Sequence, residues 1–140
     1  MKQKFLIDTN IIIRIITKDP KNMWHQTEEL IQKVENEEII FYIPSMVVAE
    51  SYWVLKSIYG MSQSEIYQGL SSFFQSEGIQ MEEPWIINAL KDSLVHNVDF
   101  IDAYISKKAQ TSFFDVLTWN KKHFKRLDCE FYTPGDLINP

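Results

Sequence analysis

Four places in this 140-residue chain carry acids or amides that a plain hydrophobic core has no use for: Asp8, Glu50, the pair Asp99 and Asp102, and Asn120. Carboxylates gathered in one place repel one another and bind protons more tightly. A hard divalent cation relieves that repulsion and takes oxygen ligands, so the cofactor expected here is Mg²⁺ or Mn²⁺. The other common site chemistries lack their residues. His25, His96 and His123 make no zinc spacing, and Cys129 is the sole cysteine. There is no G-x-S-x-G, no P-loop and no G-x-G-x-x-G.

For these residues to meet, the chain must bring them to one edge of a sheet. Phe5-Leu6-Ile7 is an apolar run stopped by Asp8-Thr9-Asn10, which reads as a buried strand, with a helix from Ile11 to Ile16 after it. Asp8 then stands at the carboxyl end of a strand, where open α/β sheets place their ligands. The competing reading is that Asp8 or Asn10 only caps the helix. Lys18-Asp19-Pro20-Lys21 breaks the pattern, and Asn22 is the expected cap of a helix to about Glu35. Ile39 to Ile43 is a second buried strand, stopped by Pro44.

Ser45 is the expected cap of a helix from Met46 to Tyr59, ended by Gly60. On it, Glu50 has Met46, Val47, Trp53 and Val54 three and four positions away, which predicts a carboxylate inside an apolar stripe. A salt bridge to a basic residue at the core edge is the competing account. Ser62 and Glu65 form a capping box, with Met61 and Ile66 at staple positions, for a helix to about Phe74. A short strand follows at 78–81, then a helix from Pro84 to near His96.

Asp99 and Asp102 fall at the N-cap and N3 positions of a helix to about Gln110. Capping is the favoured reading of Asp99, while Asp102 leans inward with Ile105 and Ala109. Phe113 to Thr118 reads as a strand, with Asn120 just past it as a site residue or a turn residue, and Phe131-Tyr132 as a last strand. The alternation predicts an α/β fold in three layers, α/β/α, around a central mainly parallel sheet of four or five strands.

Length and composition fit a single domain over residues 1–140, with 45% hydrophobic residues and no low-complexity linker. The unpaired cysteine suits a reducing cytoplasm, and neither a signal peptide nor a membrane span is expected. A net charge of -5 argues against a simple basic nucleic-acid binder. Yet Lys107, Lys108, Lys121, Lys122, Lys125 and Arg126 lie between Ala103 and Arg126 with Asp115 as the only acid. Taken alone, such a run is more often a solvated face than a binding surface.

At this point the pattern resembles the PIN domain family, and within it the VapC-type ribonuclease toxins. The marks are Phe-Leu-Ile-Asp8-Thr-Asn, Pro44-Ser-Met-Val-Val-Ala-Glu50, Asn97-Val-Asp-Phe-Ile-Asp102-Ala-Tyr, and Val116-Leu-Thr118-Trp-Asn120-Lys-Lys-His-Phe124, in that order along nearly the whole chain. The resemblance implies metal-dependent RNA cleavage with Asp8, Glu50 and Asp102 as the acidic residues. Asp99 falls beside the third acid, and Thr9 and Thr118 match small polar residues near the metal; Asn10 lies next to them. The family often has a fourth acid where this chain has Asn120, which bears on whether one or two ions bind.

On this reading the six basic residues hold the RNA backbone, and Arg14 reaches substrate or inhibitor. The resemblance also implies a partner antitoxin. Tyr52, Trp53, Tyr59, Tyr67, Phe73 and Phe74 supply more aromatic surface than one core needs, so a homodimer interface or a groove for a partner helix is expected, against simple core filling. Three rivals stand beside this account. They are a DNA nuclease of the same fold, an idle scaffold that binds RNA or protein, and a phosphotransferase with an aspartyl nucleophile, for which Asn10 is the wrong residue.

Overall fold

A computed structural model describes residues 2–139, which divide between Pro84 and Trp85 into two compact units. The fold is α/β, with parallel strands alternating with helices.

In the first unit β1 (Gln3–Leu6) leads to α1 (Thr9–Thr17) and α2 (Lys21–Glu35), then β2 (Ile39–Ile43), α3 (Ser45–Ser57), α4 (Gln63–Phe74) and β3 (Ile79–Met81). The strands form one parallel sheet in the order β1-β2-β3, with Phe5 beside Phe41 and Ile43 beside Met81. Its core is mainly aliphatic, with Ile12 and Ile13 of α1, Ile43 of β2, Val48 and Leu55 of α3, and Ile66 and Leu70 of α4 packed beside the Phe41 ring of β2. β2 has a strand on each side and is the best covered of the three. β1 is an edge strand, and its residues are exposed, Leu6 at 73%, where the apolar run predicts a buried strand.

Two start signals sit differently from their sequence reading. Pro20 takes the N-cap position of α2, so Asn22 lies inside the first turn. Pro44 takes that of α3, and Ser45 is the first helical residue. Ser45 is held from β3's far end: its N–H donates to Glu82 Oε1 at 2.9 Å and its hydroxyl to Glu83 Oε1 at 2.5 Å. The Glu82 carboxylate satisfies a free N–H of the helix, and both acids complement its dipole. Gly60, at φ 65°, makes the turn after α3 that a residue with a Cβ adopts only with strain.

The second unit runs α5 (Ile86–His96), α6 (Phe100–Ser112), β4 (Val116–Leu117), α7 (Lys121–Phe124), β5 (Phe131–Tyr132) and α8 (Pro134–Ile138). β4 and β5 pair in parallel, Val116 beside Phe131. Val98, Ala103, Ala109, Val116, Phe124 and Leu127 form the buried cluster that binds α6, β4 and α7 together, with Cys129 and Phe131 packed against it. Strand β4 is shorter than its apolar run predicts. Phe113 is the left-handed C-cap of α6, at φ 60°, and only Val116 and Leu117 are strand. Among the described residues no helix is long and apolar enough to cross a membrane.

The capping box at α4 forms as its sequence requires. Glu65 N–H donates to Ser62 Oγ at 3.1 Å, and Ser62 N–H to Glu65 Oε1 at 3.0 Å. The backbone bond from Ser62, with its hydroxyl bond second, holds the Glu65 carboxyl below the usual carboxylate range. Replacing Ser62 with Ala is expected to cost about 1 kcal/mol in urea unfolding. A carboxyl with a lowered folded pKa stabilises above its unfolded value and loses that contribution as pH falls through the folded one. Glu65→Gln is therefore expected to destabilise at neutral pH, and the gap to wild type should close in acid.

Candidate metal centre

The site in the second unit starts from the way α6 begins. Val98 and Phe100 are buried on either side of Asp99, and the buried Ser93 hydroxyl donates to Val98 O at 2.7 Å. These contacts fix the chain as it enters the helix. Asp99 occupies the N-cap position, but its side chain makes no capping bond. The capping reading favoured for Asp99 thus fails on geometry. Asp102 follows in the first turn, half-buried, beside the fully buried Ala103.

The other wall comes from the turn after β4. Asn120 N–H donates to Thr118 Oγ1 at 2.9 Å, and Asn120 Oδ1 accepts from His123 N–H at 3.2 Å, capping the short helix α7. Phe124, buried in the unit's core, anchors that helix. Both residues then turn to one acceptor. Asn120 Nδ2 donates to Asp102 Oδ2 at 3.2 Å, and His123 Nδ1 lies 2.6 Å from the same oxygen. The tautomer with its proton on Nδ1 is the one that donates to this carboxylate oxygen.

Asp99, Asp102 and His123 each offer one ligand atom, and the three atoms lie within 4.8 Å of one another. Carboxylate oxygens suit Mg²⁺ and Mn²⁺, and an imidazole nitrogen is tolerated better by Mn²⁺ and later first-row ions. The donor set therefore fits a divalent cation. Sequence reasoning misses His123, which has no zinc spacing to mark it. The signal that could find it is its place three residues after Asn120 at a helix start, which sets both side chains on one side of the turn.

The first unit holds Asp8, Thr9, Asn10, Arg14 and Glu50. Asp8 is exposed at the N-cap position of α1 and makes no side-chain capping bond, so the helix-cap reading has no contact behind it. Thr9 is buried and Asn10 exposed. Asn10 and Arg14 line a cavity of about 270 Å³ with Met23, Gln26 and Thr27. Arg14 Nε donates to Met23 Sδ at 3.2 Å and Nη1 to Tyr59 Oη at 3.4 Å.

Glu50 departs from its expected surroundings. The buried face of α3 is Val48, Ser51, Tyr52 and Leu55, while Glu50 lies on the exposed side with Met46 and Trp53, at 82% and 60%. The stripe of apolar neighbours is real, but it faces outward. Helical periodicity groups residues onto a face without saying which face turns to the core. The aromatic residues also divide. Tyr52 and Phe74 are buried in the core, whereas Trp53 and Tyr59 are exposed.

The basic residues are not one uniform surface. Lys107 Nζ pairs with Asp92 Oδ2 at 3.1 Å, Lys108 lies over the Trp85 ring at 5.9 Å, and Arg126 Nη1 donates to Asn97 O at 3.0 Å. Lys121, Lys122 and Lys125 are exposed on and just after α7.

The Asn120 amide makes a bond that an acid at its position could not. An aspartate could not donate to Asp102, and it would set a second carboxylate against Asp102 Oδ2. Asn120→Asp is expected to lower stability in EDTA by on the order of 1–2 kcal/mol. Mn²⁺ should restore that loss by neutralising the pair. Thermal melts with and without Mn²⁺ read this directly, and equal melting temperatures in EDTA would show that the amide contributes nothing.

Compared with known families, residues 5–129 match the family model described as PIN domain, a stretch that runs through both units. No curated protein matches the chain.

Proposed function

The chain belongs to the PIN domain family, and from that we propose that it is a metal-dependent endoribonuclease of the VapC type, the toxin of a toxin–antitoxin pair. The observation that carries this reading is the convergence of the Asp99 and Asp102 carboxylates beside His123 at the start of α6, where the oxygen donors suit a divalent cation. The family match through both units supports treating residues 1–140 as one nuclease domain.

In this reading Asp102 would be a ligand of Mg²⁺ or Mn²⁺, and Asp8 and Glu50 are the further acids that the family resemblance implies. When bound, such a cation would supply a lowered pKa to a nearby water and neutralise charge on the phosphate. Glu50, on the exposed side of α3, orients the attacking water. Asp99, Thr9, Asn10, Thr118 and Asn120 fix the polar surroundings of the acids. Lys121, Lys122 and Lys125 hold RNA phosphates, with Lys107, Lys108, Arg126 and Arg14 contributing at the margins because each already has a contact within the fold. Met46 and Trp53 supply an apolar stripe for the antitoxin, and a second copy of the chain completes the assembly as a homodimer.

Purified protein incubated with labelled single-stranded RNA and DNA, with Mn²⁺, Mg²⁺ or EDTA, tests the activity. RNA cleavage is expected with either metal and not in EDTA. Asp8→Asn and Glu50→Gln should each lower the rate by on the order of 10²-fold. Equal cutting of DNA would favour the DNA nuclease, and RNA binding without cleavage under any metal would favour the idle scaffold. Replacing Lys121, Lys122 and Lys125 with Gln is expected to reduce the slope of log affinity against log salt by roughly 0.7 for each phosphate no longer neutralised. An unchanged slope would remove these lysines from the RNA surface.

A further inference from the structure

Among the described residues, three helices place an acid at the third position after the N-cap residue. At that position the carboxylate ordinarily reaches back to the N-cap backbone. Glu65 does so in α4, accepting from Ser62 N–H at 3.0 Å. Asp136 does so in α8, accepting from Thr133 N–H at 2.8 Å. Asp102 in α6 is the exception. Its Oδ2 is held by Asn120 Nδ2 at 3.2 Å and His123 Nδ1 at 2.6 Å, 18 and 21 residues downstream.

We propose that His123 and Asn120 are a positioning pair that brackets Asp102 by Oδ2 and leaves Oδ1 as the oxygen offered to the cation, with Asn120 itself supplying no ligand; this rests on the metal reading above. Both ends of the Asn120 amide are committed, Nδ2 to Asp102 and Oδ1 to His123 N–H, so the amide has neither end turned to an ion. Its own N–H is fixed on Thr118 Oγ1, which makes the donor rigid. His123 is fixed through α7, whose last residue, Phe124, is fully packed in the core. Two anchored donors on one oxygen select a single orientation of a half-buried carboxylate, and the entropy of ordering it is met before any ligand arrives. Partners of this kind, which hold a ligand without touching the metal, typically change affinity by about 10–100-fold when removed.

The test is a calorimetric titration of Mn²⁺ into the full chain, wild type against His123→Ala, His123→Asn and Asp102→Asn, with melting in EDTA as the check on folding. His123→Ala is expected to weaken Mn²⁺ binding by about tenfold or more, and His123→Asn, whose amide N–H stands where Nδ1–H did, to return to within about threefold of wild type. Wild-type affinity in His123→Ala overturns the proposal, as does His123→Asn binding as weakly as His123→Ala. Asp102→Asn separates the two levels. If it keeps wild-type affinity, the metal reading itself fails; if it loses Mn²⁺ while His123→Ala does not, only the positioning pair fails. Should His123→Ala not fold, His123→Leu replaces it in the same comparison.

Discussion

The second unit is organised around an acceptor with more donors than its position calls for. Asp102 Oδ2 takes bonds from Asn120 and His123, and those bonds require α6, the end of β4 and the start of α7 to be held in fixed register. That register comes from apolar packing. Ala103 and Ala109 on α6, Val116 on β4 and Phe124 on α7 share one buried cluster. The small residues on α6 let strand and turn approach closely, and the large ring on α7 locks the turn from below. A polar site half open to solvent thus inherits its precision from the apolar core beside it. Within that site the Asn120 amide and the His123 imidazole share one carboxylate oxygen.

Local signals are legible in the sequence, and their carriers show why. The Ser62–Glu65 box, the strand at Ile39–Ile43 and the helix to Phe74 depend on residues within four positions of each other. Asp102 and Asn120 are legible as polar residues at element ends. What cannot be read is which contacts those ends make. His123 reads as a lone histidine, because its partner is 21 residues upstream. Periodicity rightly groups Glu50 with Met46 and Trp53, yet it cannot tell that this face of α3 is exposed. Phe113 and Phe114 carry the composition of a strand, but the first ends α6 in a left-handed turn.

Two features of the chain bear on how an acidic protein would meet the anionic substrate of the proposed activity. The acids of the candidate site carry charge that a divalent cation inverts locally, and the exposed lysines lie on the same short helix that holds His123. The segment from Thr118 to Lys125 thus carries both the donors to Asp102 and the exposed lysines. Lys107 and Arg126 are bound into the fold, by Asp92 and by Asn97 O. They stabilise the unit more than they extend a binding surface.

The most direct measurement of the account is a two-dimensional amide spectrum of the isotope-labelled protein during titration with substoichiometric Mn²⁺, whose unpaired electrons broaden nearby signals. The account expects the amides of Asp99, Asp102, Asn120 and His123 to broaden first and together, and EDTA to restore them. Broadening that begins elsewhere and leaves these four sharp would contradict it.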